Sequence, residues 1–206
     1  GTGANDENVM PAKSVARLAY HLLHDYPEVL ETTKINTKIF REGTTDATKM
    51  DNFNFMLPGF VYEYEGVDGL KTGTTEFAGY NFTGTAKRDD RRVIAVVMKA
   101  VDANGVGSYK ARFDATRALF DYGFSQFSEV EFVPAGYQFD KQKELGVIKG
   151  KEKNVSIAVK EPIRMMVKTS EKDLYVPELV IDESKMTDGV LQAPIEKDTV
   201  VGHVKL

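Results

Sequence analysis

The residues best suited to chemistry lie together in one segment, 66–75, which reads Gly-Val-Asp-Gly-Leu-Lys-Thr-Gly-Thr-Thr. This segment combines a lysine cation, three threonine hydroxyls and three glycines, and a strand-like sequence follows at 77–86. Because glycine has no side chain, another backbone can approach it closely. A strand with this composition can offer backbone N–H groups, a hydroxyl and an ammonium to an anionic, peptide-like ligand. The alternative is a surface turn leading into an edge strand, and the Lys-Thr-Gly triplet alone does not decide between them.

Length and composition limit the classes of protein to consider. The 206 residues suffice for one large or two small domains, and 42% hydrophobic with 28% charged residues is typical of a soluble globular protein. A net charge of −4 without a basic block argues against a nucleic-acid partner. No apolar run has the length of a membrane span and no signal peptide precedes Gly1, which is also compatible with the mature part of an exported protein. The absence of cysteine excludes disulfides and fits an exported Gram-positive protein.

Hydrophobic periodicity predicts the elements before the Lys-Thr-Gly segment. The pattern indicates a helix from Pro11 to about Asp25, a short helix at 28–33, a strand at 32–40 and a polar loop at 41–51. His21 and His24 lie three residues apart on the first helix, a spacing that suits a metal ion. No third ligand lies nearby in the sequence, so we expect an ordinary helix surface, with no metal and no cofactor.

The Lys-Thr-Gly segment is expected to belong to an antiparallel sheet. An aromatic strand is predicted at 60–64, and strands at 80–86 and 92–98 follow the segment after short turns. The last strand is almost continuously apolar, which predicts a central strand buried on both faces. A helix at 108–122, ended by Gly123, should pack on the sheet through one face. The residues expected on that face are Ala111, Ala115, Ala118, Leu119 and Tyr122.

The pattern of apolar residues along the sequence changes near Phe127. From there to Leu206, short alternating segments are separated by prolines and glycines, a pattern typical of a small all-β domain. We therefore predict an α+β fold in two parts: a domain at 1–126, in which helices pack on an antiparallel sheet, and a β-rich domain at 127–206.

Several motifs in order along the chain resemble those of one protein family. They are Thr2-Gly3, Asn52-Phe53-Asn54, 67–73, Ala78-Gly79, 91–98 and 121–124, followed by Ala193-Pro194-Ile195 and Val201-Gly202. Together they resemble the low-molecular-mass penicillin-binding proteins of the D-alanyl-D-alanine carboxypeptidase type, over nearly the whole chain. The resemblance implies part of a β-lactamase/transpeptidase-like catalytic domain followed by that family's C-terminal β domain.

The resemblance also implies roles for individual residues. In the family, Lys-Thr-Gly closes the site of a serine acyltransferase, next to Ser-x-x-Lys and Ser-x-Asn motifs. Lys71 would support the charge of the catalytic groups, Thr72 and Gly73 would hold the strand against the substrate, and the backbone N–H of Thr74 would form half of the oxyanion hole. The hydroxyl of Thr75 would lie near the terminal carboxylate of the substrate.

Arg112 falls where the family has a carboxylate-binding arginine, counted back from Tyr122-Gly123-Phe124. A guanidinium can bind a carboxylate through two hydrogen bonds. The alternative for Arg112 is a solvated charge on the helix surface.

The chain departs from the family in one respect. None of its seven serines, at positions 14, 108, 125, 128, 156, 170 and 184, begins Ser-x-x-Lys or Ser-x-Asn. We therefore expect the C-terminal part of a catalytic domain plus the β domain, inactive alone, with the nucleophile on a complementary N-terminal piece.

The leading hypothesis is a serine-type D-Ala-D-Ala carboxypeptidase that acts on peptidoglycan stem peptides and, when complete, binds β-lactam antibiotics. A non-catalytic wall-peptide-binding or docking module and a serine β-lactamase are the alternatives; the β domain argues against the last. The family resemblance implies an extracytoplasmic location, at the outer face of the cell membrane or in the cell wall. Contact with the membrane would occur only through a C-terminal anchor that this sequence lacks.

Overall fold

The computed structural model describes residues 9–206. The loop predicted at 1–8, including the Thr2-Gly3 motif, lies outside the described residues. The chain divides into two units: the first ends at Ser125, and the second begins at Gln126 and runs to Leu206.

The first unit is built around a three-stranded antiparallel sheet. In chain order the elements up to residue 126 are α1 (Ala12–Asp25), α2 (Val29–Thr33), β1 (Thr37–Phe40), β2 (Thr48–Asp51), β3 (Val67–Thr75), β4 (Gly79–Arg88), β5 (Arg91–Ala100) and α3 (Tyr109–Gln126). Strands β3, β4 and β5 are neighbours in that order. The meander predicted from the sequence is confirmed, and β3 contains the whole Lys-Thr-Gly triplet.

The core of this unit lies between the sheet, α3 and the aromatic segment before β3. The prediction of a strand at 60–64 is wrong, because this segment forms a series of turns. Phe60 N–H donates to Leu57 O, and Tyr64 N–H donates to Met56 O. The aromatic side chains nevertheless enter the core, because Tyr62 stacks on Phe113 with ring centroids 5.2 Å apart. A turn-rich segment can bury as many aromatic rings as a strand, so composition misled the prediction here.

Helix α3 packs through a different face from the one predicted. Leu119 and Tyr122 are 43% and 50% exposed. The buried residues are Arg112, Phe113, Thr116, Phe120 and Phe124. The prediction that Gly123 ends the helix is also wrong, because α3 continues to Gln126. The three phenylalanines fill more apolar volume than the alanines of the expected face, and they decide the orientation of the helix.

Two further predictions in this unit hold only in part. The predicted strand at 32–40 is shorter, since Thr32 and Thr33 belong to α2, and the predicted loop at 41–51 contains β2, which pairs with β1. Every residue of both strands is exposed, so no buried face marks β2 as a strand in the sequence.

Strand β5 was expected to be central, but β4 is the middle strand of the sheet among the described residues. Strand β5 pairs there with β4 alone, and Met98 is 44% exposed. The apolar sequence of β5 therefore lies at a sheet edge in this structure.

The second unit contains short strands and no α-helix of its own after α3 in the described residues. Its strands are β6 (Phe127–Val133), β7 (Glu144–Ile148), β8 (Asn154–Ser156), β9 (Ile163–Lys168), β10 (Glu178–Ile181), β11 (Leu191–Gln192) and β12 (Gly202–Lys205). They form the pairs β6–β9 and β10–β12 and the sheet β11–β7–β8. The α+β fold with a β-rich C-terminal part is thus confirmed. Of the helices in the described range, none is long and apolar enough to cross a membrane.

Candidate functional site

Strand β3 carries the predicted catalytic residues along one edge of the sheet. It pairs with β4 on one side, with Lys71 opposite Thr83 and Thr74 opposite Tyr80. Its other edge pairs with no strand among the described residues. A free edge of this kind can bind an extended peptide through main-chain hydrogen bonds.

Two polar contacts fix the beginning of β3. The guanidinium of Arg92 binds the carboxylate of Asp68 through two hydrogen bonds of 2.7 and 2.8 Å, and Arg92 also donates to the hydroxyl of Thr85. The hydroxyl of Thr33, at the end of α2, donates to the Asp68 carbonyl at 2.8 Å. Because the Arg–carboxylate pair uses both arms of the guanidinium, it fixes an angle as well as a distance.

The Asn52-Phe53-Asn54 motif fixes the next part of the strand. The side-chain amide of Asn54, which is 1% exposed, donates to Gly69 O at 3.3 Å, and its oxygen accepts from Met56 N–H. The Asn52 amide donates to Thr33 O, and its oxygen accepts from Asn54 N–H. The resemblance picked out this motif without a role. In the structure the buried amide of Asn54 connects the aromatic segment to the strand two residues before Lys71.

Lys71, Thr72 and Gly73 lie in sequence on β3 with different surroundings. The Lys71 side chain is exposed, and its Nζ donates to the carbonyl of Thr72 at 2.6 Å. Thr72 is buried. A Cβ added at Gly73 would have no atom within 4 Å, so the space in front of this glycine is open. These three residues therefore present a cation and, at Gly73, an uncovered position of the backbone.

Thr74 and Arg112, from β3 and α3, are in direct contact. The Arg112 Nη1 donates to Thr74 Oγ1 at 3.2 Å, across 38 residues of sequence. Arg112 is 5% exposed, so the alternative of a solvated helix charge does not hold. The structure thus brings a predicted substrate-binding residue to a predicted catalytic one.

Thr75 is placed differently. Its Oγ1 accepts a hydrogen bond from Ala78 N–H at 3.0 Å and so forms part of the turn between β3 and β4. The side chain that the structure pairs with Arg112 is that of Thr74, and the role of Thr75 toward a carboxylate stays a prediction.

The electrostatic state of Arg112 is the most unusual feature of the site. Its Nε is buried without a hydrogen-bond partner, and it is the one such side-chain atom in the described part of the chain. Burial lowers the pKa of the guanidinium below its ordinary value. A buried cation with an unpaired donor is suited to bind an anion, because the anion restores the interactions that were lost with water.

Sequence reasoning missed two aromatic neighbours of this cation. The rings of Tyr80 and Phe113 lie with their centroids 5.8 and 4.8 Å from the guanidinium carbon of Arg112. The signal available in the sequence was Tyr80 itself, which follows Ala78-Gly79 and falls opposite Thr74 once the hairpin register is known.

A cleft of about 840 Å³ lies within the second unit, lined in part by Tyr137, Phe139, Ile157 and Val204. None of the predicted site residues lines this cleft, so it belongs to a different part of the molecule from β3.

Comparison with known families agrees with the two-unit structure. Residues 1–102 match the model of the family described as D-alanyl-D-alanine carboxypeptidase, and residues 127–206 match that of the C-terminal domain of penicillin-binding protein 5. Strand β3 with its Lys-Thr-Gly triplet falls within the first match, whereas Arg112 falls between the two.

Curated relatives match along nearly the whole chain. The D-alanyl-D-alanine carboxypeptidase DacF of Bacillus subtilis is 31% identical over 206 residues, which are 100% of this chain and 48% of the relative. The D-alanyl-D-alanine carboxypeptidase DacA of Haemophilus influenzae is 28% identical, over 98% of this chain and 46% of its own. The chain thus spans about half the length of the curated relatives it matches.

Solved structures give the same result. A peptidoglycan synthesis regulatory factor (PBP3) of Streptococcus pneumoniae matches with a TM-score of 0.64 and 33% identity, over 98% of this chain and 52% of the other. Penicillin-binding protein 5 of Haemophilus influenzae matches with a TM-score of 0.62 and 26% identity, over 93% and 50%. The similarity therefore includes both units.

Proposed function

Because this chain belongs to the D-alanyl-D-alanine carboxypeptidase family of low-molecular-mass penicillin-binding proteins, we propose that it is the peptide-binding part of a serine-type D-Ala-D-Ala carboxypeptidase. The substrate would be a peptidoglycan stem peptide ending in D-Ala-D-Ala. The observation that carries the proposal is the buried, incompletely paired guanidinium of Arg112 next to Thr74 on the free-edged strand β3.

Each element of the site has a part in this reaction. The peptide lies along β3, where the uncovered backbone at Gly73 leaves room for it, and Arg112 binds its terminal carboxylate. A serine hydroxyl attacks the carbonyl carbon of the penultimate D-Ala, and the backbone N–H of Thr74 stabilises the developing oxyanion. The peptide bond breaks, the terminal D-Ala leaves as the free amino acid, and water then hydrolyses the acyl-enzyme. Lys71 supports the charge of the groups that move the proton, and Thr75 lies toward the carboxylate end of the substrate.

The nucleophile of this scheme does not come from the present sequence. Since none of the seven serines precedes a lysine by three residues, a complementary segment with Ser-x-x-Lys and Ser-x-Asn would supply the nucleophile and its base. The complete protein would bind β-lactam antibiotics, which acylate the same serine, and would act outside the cytoplasm at the membrane surface or cell wall.

The first prediction concerns acylation of the chain alone. Incubated with a labelled penicillin, the 206-residue polypeptide should show no mass increase, because it lacks a serine with an adjacent base. The full-length protein with its Ser-x-x-Lys segment should show one penicillin per molecule. A stoichiometric adduct on the chain alone would contradict the proposal that the nucleophile lies elsewhere.

The second prediction concerns Arg112 in the full-length protein. Replacing it by alanine should lower kcat/KM for an acylated D-Ala-D-Ala peptide about ten- to a hundredfold, the equivalent of a lost charge-assisted hydrogen bond of about 1.5–3 kcal/mol. Arg112→Lys should recover part of the loss. Lys110→Ala, which removes an exposed cation from the same helix, is the matched control and should leave the rate unchanged.

The control substrate is the same peptide with its C-terminal carboxylate converted to an amide. Arg112→Ala should hydrolyse it as slowly as the unaltered protein does, because the lost contact is to the carboxylate. Equal losses on both peptides would instead assign Arg112 to the packing of α3.

The second candidate function is that of a wall-peptide-binding module without catalysis, favoured by the lack of a Ser-x-x-Lys motif in the chain. Binding of a D-Ala-D-Ala peptide by a full-length protein that neither hydrolyses it nor reacts with penicillin would support this candidate. A β-lactamase is disfavoured by the match of residues 127–206 to a penicillin-binding protein domain.

A further inference from the structure

The guanidinium of Arg112 is placed by its aromatic neighbours as well as by a hydrogen bond. Phe113, the next residue of α3, is itself 1% exposed and packs on Phe82 in the core. Tyr80 approaches from the sheet, with its ring centroid 5.8 Å from Cζ of Arg112. Tyr80 lies on β4, the strand that pairs with β3, so its ring links the position of the cation to the position of the Lys-Thr-Gly strand.

The backbone around Tyr80 holds this ring at the site. Tyr80 lies opposite Thr74 on the neighbouring strand, and the β4–β5 pairing is irregular between Tyr80 and Phe82. At this irregularity the Asn81 side-chain oxygen accepts from Lys99 N–H at 3.0 Å, in place of a regular ladder bond. Gly107 lies against the ring, since a Cβ there would be 3.6 Å from Cδ2 of Tyr80.

Two physical effects follow from this placement. The negative face of an aromatic ring attracts a cation, and the attraction grows when water is excluded. The ring lies beside the guanidinium of a residue that is 5% exposed, and burial is the main cause of the lowered pKa of Arg112. Tyr80 therefore keeps the cation beside Thr74 and keeps it dry, two conditions that strengthen its attraction for a carboxylate.

We propose that Tyr80 is a positioning residue of the carboxylate site, holding the Arg112 guanidinium against Thr74 for a peptide that ends in a free carboxylate. This inference rests on the proposed function, in which the same guanidinium binds the D-Ala-D-Ala terminus. Tyr80 acts through Arg112 and takes no part in bond breaking.

The kinetic test uses the full-length protein and the acylated D-Ala-D-Ala peptide. Tyr80→Leu and Tyr80→Met, two non-aromatic variants, should each raise KM about tenfold with kcat changed less than threefold. Tyr80→Phe keeps the ring, and its KM and kcat should stay within twofold of those of the unaltered protein. Tyr26→Leu, an exposed tyrosine of the same unit, is the matched control. All variants should hydrolyse the amide-terminated peptide at the same rate as the unaltered protein.

A second readout does not depend on catalysis. In the unaltered protein the Nε–H of Arg112 should exchange slowly with water by nitrogen-detected NMR, because Nε is buried. In the Leu and Met variants its exchange should be at least tenfold faster, and N-acetyl-D-alanine, used as a carboxylate probe, should bind about tenfold more weakly. Tyr80→Phe should preserve both values.

The outcomes separate this inference from the proposed function. A protein that hydrolyses no D-Ala-D-Ala peptide contradicts the proposed function, and the NMR arm then still decides the role of Tyr80. The inference is overturned if the non-aromatic variants keep the exchange rate and probe affinity of the unaltered protein, if they lose activity equally on both peptides, or if Tyr80→Phe is as impaired as they are.

Discussion

A single guanidinium combines the burial, the missing partner and the aromatic contacts of the site. Buried donors in proteins are nearly always paired, so the unpaired Nε of Arg112 needs a reason. An unsatisfied donor on a charged group costs stability, and such costs persist where a ligand later removes them. A peptide carboxylate that approaches Thr74 would meet the Nη1 side of this guanidinium, which donates to Thr74 Oγ1, and would offset the charge of the buried cation.

The third prediction concerns Tyr64, whose hydroxyl donates to Asp121 at 2.8 Å. Burial, and then the hydrogen bond to Asp121, raises its pKa from 10.0 to about 12. An unfolded chain loses this proton near pH 10 and the folded one only near pH 12. The contribution of Tyr64 to stability is therefore complete below pH 10 and is lost as the pH rises toward 12. The loss should be of the order of 2 kcal/mol.

The measurement is the apparent Tm of the full-length protein at pH 9 and pH 11.5, compared with that of Tyr64→Phe. The variant keeps the ring, which packs on Phe120 at 5.2 Å, and lacks the titrating group. The unaltered protein should lose clearly more Tm between the two pH values than the variant does. Parallel losses would show that the Tyr64–Asp121 bond has no such linkage.

At the scale of elements, the contact between α3 and β5 depends on the glycine in the last part of the helix. A Cβ at Gly123 would lie 2.9 Å from Cγ1 of Val93 and 3.1 Å from its Cγ2. Alanine in place of glycine normally stabilises a helix interior by about 1 kcal/mol. We predict the opposite sign for Gly123→Ala, a net loss of about 1–2 kcal/mol, because valine is stiff and cannot move its methyl groups away.

A double-mutant cycle checks this explanation. In a Val93→Ala background the clash is absent, so adding Gly123→Ala should be neutral or stabilising in urea unfolding experiments. If Gly123→Ala destabilises both backgrounds equally, the cost comes from somewhere other than the Val93 contact.

The sequence predicted elements well where apolar residues recur at a regular spacing, and poorly elsewhere. Helix α1 and the β3–β4–β5 meander follow the apolar pattern of the sequence, whereas β2, whose residues are all exposed, lies in a segment that was predicted to be a loop. The burial of Arg112 in place of Ala111 could not be predicted from helix periodicity. It follows from the fit of Phe113 and Phe120 against the sheet, which is a tertiary effect.

For the site, the sequence supplied residue types and the structure supplied the pairing. The resemblance pointed to Arg112 and to the Lys-Thr-Gly strand, but the contact between Arg112 and Thr74 needs the relative placement of α3 and β3. The same holds for Tyr80, since its place opposite Thr74 depends on the register of a hairpin with a turn at 76–78. A one-residue shift of that register would move the ring to the opposite face of the sheet.

At the scale of the whole chain, the two units differ in the length and the apolar character of their edge strands. In the first, β5 has apolar residues at 93–97 and pairs with β4 alone among the described residues. A flat, apolar edge strand is a template for association with another strand. The strands of the second unit are short, which limits such pairing, and this unit ends in the β10–β12 pair.

The fifth prediction follows from this difference. On the isolated 206-residue chain, hydrogen exchange should show strong protection in 127–206 and weak protection along 92–98 while the chain is monomeric, because β5 has no strand partner on its outer side among the described residues. Raising the concentration should protect 92–98 through self-association, and so should adding the complementary N-terminal segment. Size-exclusion chromatography with light scattering on the same samples reports the state of association. Strong protection of 92–98 in a proven monomer would show that the first unit is stable without another strand beside β5.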